Sequence, residues 1–135
     1  MKTLILTIGF VLLTSCVGQP TKLSDKVETI EVSYVNWSCD CADFIEVKYF
    51  NDNPNYETNE NDCIFIEPSN IEKKVPEDFY NKGHFEYYLK LRGQFYLDKG
   101  IPKSYERKTP EGPLQKAKVF RYDSFELIKK NKNTP

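Results

Sequence analysis

Residues 84–97 constrain the fold of this chain more than any other stretch. Phe85, Tyr87, Leu89, Leu91, Phe95 and Leu97 share one parity, while Glu86, Lys90 and Arg92 share the other. Side chains alternate across a strand with period two, so the pattern predicts a long strand with one buried face. Gly93 interrupts the apolar parity. A mid-strand glycine weakens packing and marks a bend or the close approach of another backbone. Ile30, Val32 and Tyr34 alternate in the same way, and the parity then flips to Val35 and Trp37. A flip within one strand predicts a bulge or strong coil, as where a strand bends around a barrel.

Shorter strand candidates lie at residues 63–67 and 118–122, with 125–128 continuing the latter. Residues 51–62 and 98–115 carry the Asn, Asp, Gly and Pro of solvated loops. Pro76 opens one expected helical turn over residues 76–80. No long amphipathic helix is visible. The class is therefore mainly β. One helical turn before the longest strand, and a final strand after a long loop, predict a small antiparallel barrel, OB-fold-like. A small β-sandwich or lipocalin-like domain is the alternative.

The N-terminus carries an address. Lys2 precedes an apolar run from Leu4 to Leu13. That run is about half of the roughly 20 residues a membrane-spanning helix needs, and it fits the apolar region of a signal peptide. Leu13-Thr14-Ser15-Cys16 follows, and this resembles the bacterial lipobox: a Leu, two small residues and an obligatory Cys. The resemblance implies that the Cys16 thiol takes a diacylglycerol and that residues 1–15 are removed. Stable anchoring needs about two acyl chains, which a diacylglycerol supplies. Val17 is not the Asp that retains some lipoproteins at the inner membrane, so an outer-membrane location in the envelope is favoured. Residues 16–26 then read as the lipidated Cys and a flexible tether, 27–128 as a single β-domain, and 129–135 as a disordered tail.

The chain balances 19 basic against 20 acidic residues, which excludes a strongly cationic nucleic-acid surface. Aromatic residues make up 14% of it, with nine Tyr and nine Phe, far more than a disordered chain carries. His84 stands alone, and no Gly-x-Ser-x-Gly supplies a nucleophile for it to activate. Asp40, Asp43 and Glu46 lack EF-hand spacing and read as a solvated turn.

Setting Cys16 apart leaves Cys39, Cys41 and Cys63, an odd number. An oxidising compartment favours one disulfide, with three possible pairings and one thiol left over in each. Pairing of the Ile30 to Trp37 segment with residues 63–67 would bring Cys63 beside the Cys39–Cys41 turn. A hairpin of residues 44–50 with 63–67 would carry Cys63 beyond the about 7 Å reach of a bridge between Cα atoms. The first arrangement is preferred, and its bridge would add about 2–4 kcal/mol. A sharper reading joins the three cysteines with His84 as a Cys₃His set suited to zinc, or uses them for Cu(I) or thiol redox chemistry. Tyr88 and Tyr96 lie on the outer parity beside Arg92 and form a candidate ligand face for stacking a sugar or base. Ordinary cross-strand pairing of aromatics is the plainer account.

Tyr34-Val35-Asn36-Trp37-Ser38-Cys39-Asp40-Cys41-Ala42, Ile64-Phe65-Ile66-Glu67-Pro68 and Gly93-Gln94-Phe95-Tyr96 resemble segments of small envelope lipoproteins of Bacteroidota-type bacteria. That resemblance implies an address and an architecture but no activity. The expected function is that of a membrane-tethered, non-enzymatic binding or structural module, without a cofactor. Its partner would be an envelope protein or a glycan, rather than nucleic acid. The alternative is a thiol-dependent metal-binding or redox protein using Cys39, Cys41 and Cys63.

Overall fold

The computed structural model describes residues 18–132. Five strands form one sheet: β1 (Glu28–Tyr34), β2 (Phe44–Glu46), β3 (Phe65–Pro68), β4 (Tyr87–Phe95) and β5 (Val119–Lys129), in the order β2-β1-β4-β5-β3. Phe44 at the start of β2 also bridges Ile64, just before β3, through backbone bonds of 3.2 and 2.7 Å. That bridge draws the two edges together, so the sheet curls into a half-barrel. β3 runs parallel to β5, and every other pair is antiparallel. The expected small β-barrel is present, with the β3–β5 pair parallel where antiparallel pairing was expected. A short helix α2 (Glu77–Asn81) lies between β3 and β4, where the helical turn was expected. This order of strands and senses is that of an OB-fold.

The inward faces pair by register. Ile30 stands opposite Leu91 and Val32 opposite Leu89, and Leu89 and Leu91 are fully buried beside Phe120 and Tyr122. Each such side chain contributes about 1.5–3 kcal/mol by leaving water. The close approach expected at Gly93 is present. Arg92 pairs with Ser124 but Gly93 with Tyr122, so Asp123 bulges out of β5. A Cβ on Gly93 would lie 2.7 Å from the Tyr122 Cα and collide with the Arg121 carbonyl.

Several boundaries differ from expectation. β4 starts at Tyr87, opposite Lys129, where β5 runs out of partner. His84 and Phe85 therefore form a 3₁₀ turn (Gly83–Phe85), and Phe85 is 73% exposed. The parity flip after Tyr34 is the chain leaving the sheet, not a bulge within it. Val35 N–H bonds to the Asp43 carbonyl at 2.7 Å, and Val35 and Trp37 pack into a second cluster. The preferred pairing of this segment with residues 63–67 does not form. β1 is flanked by β2 and β4, and β2 is the nearer partner in sequence, with less entropy lost on closing the loop. Residues 44–50 divide between β2 and a short helix α1 (Lys48–Asp52), and the following loop contains a 3₁₀ turn (Glu60–Asp62).

The expected tether is also corrected. Residues 18–26 dock along the end of β4: Ser24 N–H bonds to the Phe95 carbonyl at 2.8 Å, Leu97 N–H to Lys22 at 2.8 Å, and Ile101 N–H to Gly18 at 2.7 Å. Backbone donors must find acceptors, and such pairing leaves no trace in side-chain periodicity. At the other end, Lys129 closes β5 and Lys130 N–H bonds to the Glu86 carbonyl at 2.7 Å, so the ordered chain extends into the expected tail. Residues 1–15 and Cys16 lie outside the described residues.

Candidate functional site

Two loops meet at one end of the half-barrel: residues 35–43 between β1 and β2, and residues 96–118 between β4 and β5. In OB-folds these two loops frame the ligand site. Here they are clasped by Asp40, which is 5% exposed and not the solvated turn residue expected. Its carboxylate accepts the Thr109 hydroxyl, Lys108 N–H at 2.7 Å, Tyr105 OH at 3.0 Å and Thr109 N–H at 3.3 Å. These bonds, the Thr109 hydroxyl foremost, hold its pKa down to about 2. The residues on either side, Cys39 and Cys41, are bridged to each other with Cα atoms 5.3 Å apart. That small ring fixes the backbone from which the Asp40 side chain projects.

Three residues further on, Asp43 faces Lys108 at 3.0 Å. Lys108 Nζ also donates to the Trp37 carbonyl at 3.1 Å. Burial pushes the Asp43 carboxyl above its ordinary pKa, and the ammonium opposes that shift. The pair sits on the wall of a cleft of about 440 Å³, lined by Tyr34 and Phe44 from β1 and β2, Phe65 from β3, Tyr80 from α2, and Tyr105 and Lys108 from the long loop. This volume suits a small molecule. The rings brace one another. Tyr34 meets Tyr80 edge-on at 5.3 Å and Phe44 at 5.4 Å, and Phe65 meets Tyr105 at 5.1 Å. Burial raises the Tyr34 and Tyr80 hydroxyls, so both remain protonated donors at neutral pH. Lys74 and Glu106, 3.1 Å apart, also line the opening.

The third thiol is not part of the bridge. Cys63 is buried, Trp37 Nε1–H donates to its sulfur at 3.4 Å, and its own S–H points to the Asn59 carbonyl at 3.5 Å. Burial raises its pKa and keeps it a thiol. The Cys₃His set is not assembled. His84 Nδ1 lies 3.1 Å from the Phe79 carbonyl, and its ring packs on Phe85 and Tyr34. What does cluster is Cys39, Cys41 and Glu60, whose ligand atoms lie within 4.8 Å of one another.

Tyr88 and Arg92 share the outer parity of β4, but Tyr96 does not join them. Tyr88 stands near the carboxylate of Glu31 and Arg92 is exposed on β4. Tyr96 lies beyond the bulge and the end of β4, with its hydroxyl donated to Glu67 at 2.7 Å and its ring in the second cluster. Tyr34, Asp43, Tyr105 and Lys108 were not singled out as a site from the sequence. They come from three separate segments that only the closed sheet brings together. No known protein family, curated protein or solved structure matches the chain.

Proposed function

We propose that the protein is a lipid-anchored envelope module that binds a saccharide unit of a glycan, without catalysing a reaction on it. The observation that carries this reading is the cleft between the two clasped loops, with its tyrosine walls and its Asp43–Lys108 pair. A sugar ring offers an apolar face for an aromatic ring and hydroxyls for a carboxylate and an ammonium. The near-neutral balance of the chain also suits an uncharged saccharide better than a polyanion. The lipobox ending in Cys16 supports attachment to a membrane through lipid, and Val17 in place of Asp favours the outer one. Among the described residues no helix is long and apolar enough to cross a membrane.

The test is a titration of the folded protein with N-acetylglucosamine oligomers, read by isothermal titration calorimetry. The expected result is saturable binding that Ser104→Trp abolishes with little change in melting temperature, because exposed Ser104 lines the cleft. Absence of saturation, or binding untouched by Ser104→Trp, overturns the assignment.

The thiol reading rests on the Cys39, Cys41 and Glu60 cluster. Counting thiols in the non-reduced protein separates the two. One thiol, unreactive until unfolding, fits a bridge that serves structure. Three reactive thiols with bound metal would instead establish the metal-binding reading.

A further inference from the structure

Gly18 is fixed to the barrel. Its carbonyl accepts from Ile101 N–H at 2.7 Å, and Gly100 approaches so closely that a Cβ there would lie 2.6 Å from the Gly18 carbonyl oxygen and 2.6 Å from the Pro20 nitrogen. The Asp98 carboxylate then holds Thr21 N–H at 3.1 Å, and Leu23 bridges Tyr96. In sequence only Val17 separates Gly18 from Cys16. Two residues extend by at most about 7 Å, which is shorter than the roughly 8 Å screening length at physiological ionic strength. A lipid on Cys16 would therefore hold this end of the barrel within range of headgroup charge.

The surface around Gly18 matches such a neighbour. Lys116 reaches to 3.9 Å, and Ile101 to 3.6 Å, of the position a Cβ would take on Gly18. Lys99 flanks Gly100, which bridges Ala117 next to Lys116. Lys22 is exposed, and Leu97, whose N–H it binds, is 65% exposed. The Thr21 and Lys22 amides occupy the oxygens of Asp98. Glu46, Glu60 and Asp62 line the hollow that Lys99, Lys116 and Lys118 also line, with Glu46 paired to Lys48 and Asp62 to the Tyr56 hydroxyl. Lysines around an apolar centre are the chemistry that meets an anionic bilayer surface.

We propose that the barrel end centred on Gly18 and Ile101, edged by Lys22, Lys99 and Lys116, docks on a phospholipid bilayer carrying anionic headgroups. The inference rests on the reading of Cys16 as the lipid anchor. The domain then lies on its membrane in one orientation and does not swing on a tether.

The test uses the full lipidated protein in vesicles of phosphatidylcholine with phosphatidylglycerol, and in vesicles of phosphatidylcholine alone. An amine-reactive ester labels lysines, and mass spectrometry reads each position. Lys22, Lys99 and Lys116 should be labelled several-fold more slowly in the anionic vesicles, with Lys82 and Lys129 at the far end of β4 unchanged. A Lys99→Glu/Lys116→Glu variant should lose the protection of Lys22 while keeping its lipid and its folded spectrum. Equal labelling of lipidated protein in both vesicles overturns the docking and leaves the anchor standing. A mature N-terminus without lipid overturns the anchor itself.

Discussion

The two hydrophobic clusters of this half-barrel are built in different ways. The first, around Val32, Leu89, Leu91, Phe120 and Tyr122, is drawn mainly from strands in ladder register. The second, around Ala42, Ile45, Cys63, Phe65 and Val119, is completed by Trp37, Tyr56 and Tyr105 from loops. Apolar area removed from water is what stabilises the first. The second depends also on polar bonds that fix its loops, chiefly the Asp40 clasp. Both clusters contribute walls to the cleft: Phe44 comes from the first, Phe65 and Tyr105 from the second. The cleft thus sits where a wall built from strands meets one built from loops.

Truncation in the first cluster should have the largest effect. Leu91→Ala, at a fully buried position, is expected to cost about 2–5 kcal/mol, measured by urea denaturation. Asp40→Ala should shift the midpoint less and act locally. It leaves the Lys108 and Thr109 amides and the Tyr105 hydroxyl without their acceptor. Their hydrogen exchange should accelerate while that of Leu89 and Leu91 stays slow. An equal acceleration in both clusters would erase the distinction between them.

Acid should reproduce the Asp40 effect. Its folded pKa is depressed from 3.8 to about 2, so the clasp is intact above the unfolded value and is lost as pH falls from there through about 2. Asp43 is shifted the opposite way by burial. The Lys108 and Thr109 amides, not global stability, are therefore the appropriate readout. Reduction of Cys39–Cys41 should have the smallest effect on unfolding, about 1–2 kcal/mol, because so short a loop gives up little closure entropy. It should still speed exchange at Lys108, since Asp40 loses the ring that holds it.

The first cluster was largely legible in the sequence. Alternation named Leu89, Leu91, Ile30 and Val32, and Gly93 marked the close approach of β5. The second was not, because its residues obey no period. Asp40 sits among Ser, Cys and Asp in what reads as a solvated turn, and its partners are 65 or more residues away. The cysteine arithmetic correctly left one spare thiol, but the bridge closed between neighbours in sequence. Tyr96 parts from Tyr88 because it lies past the end of β4 and its ring packs into the second cluster. The docking of residues 18–26 was hidden for a similar reason, since backbone hydrogen bonds carry it.

The central claim, that the cleft between the clasped loops is the binding site, is most directly tested by following backbone amide shifts during the N-acetylglucosamine titration. The account predicts saturating perturbations at Asp43, Phe65, Tyr105 and Lys108, with little movement at Tyr88 and Arg92. Perturbations confined to Tyr88, Arg92 and their neighbours on the outer face of β4, or none at all, would contradict it.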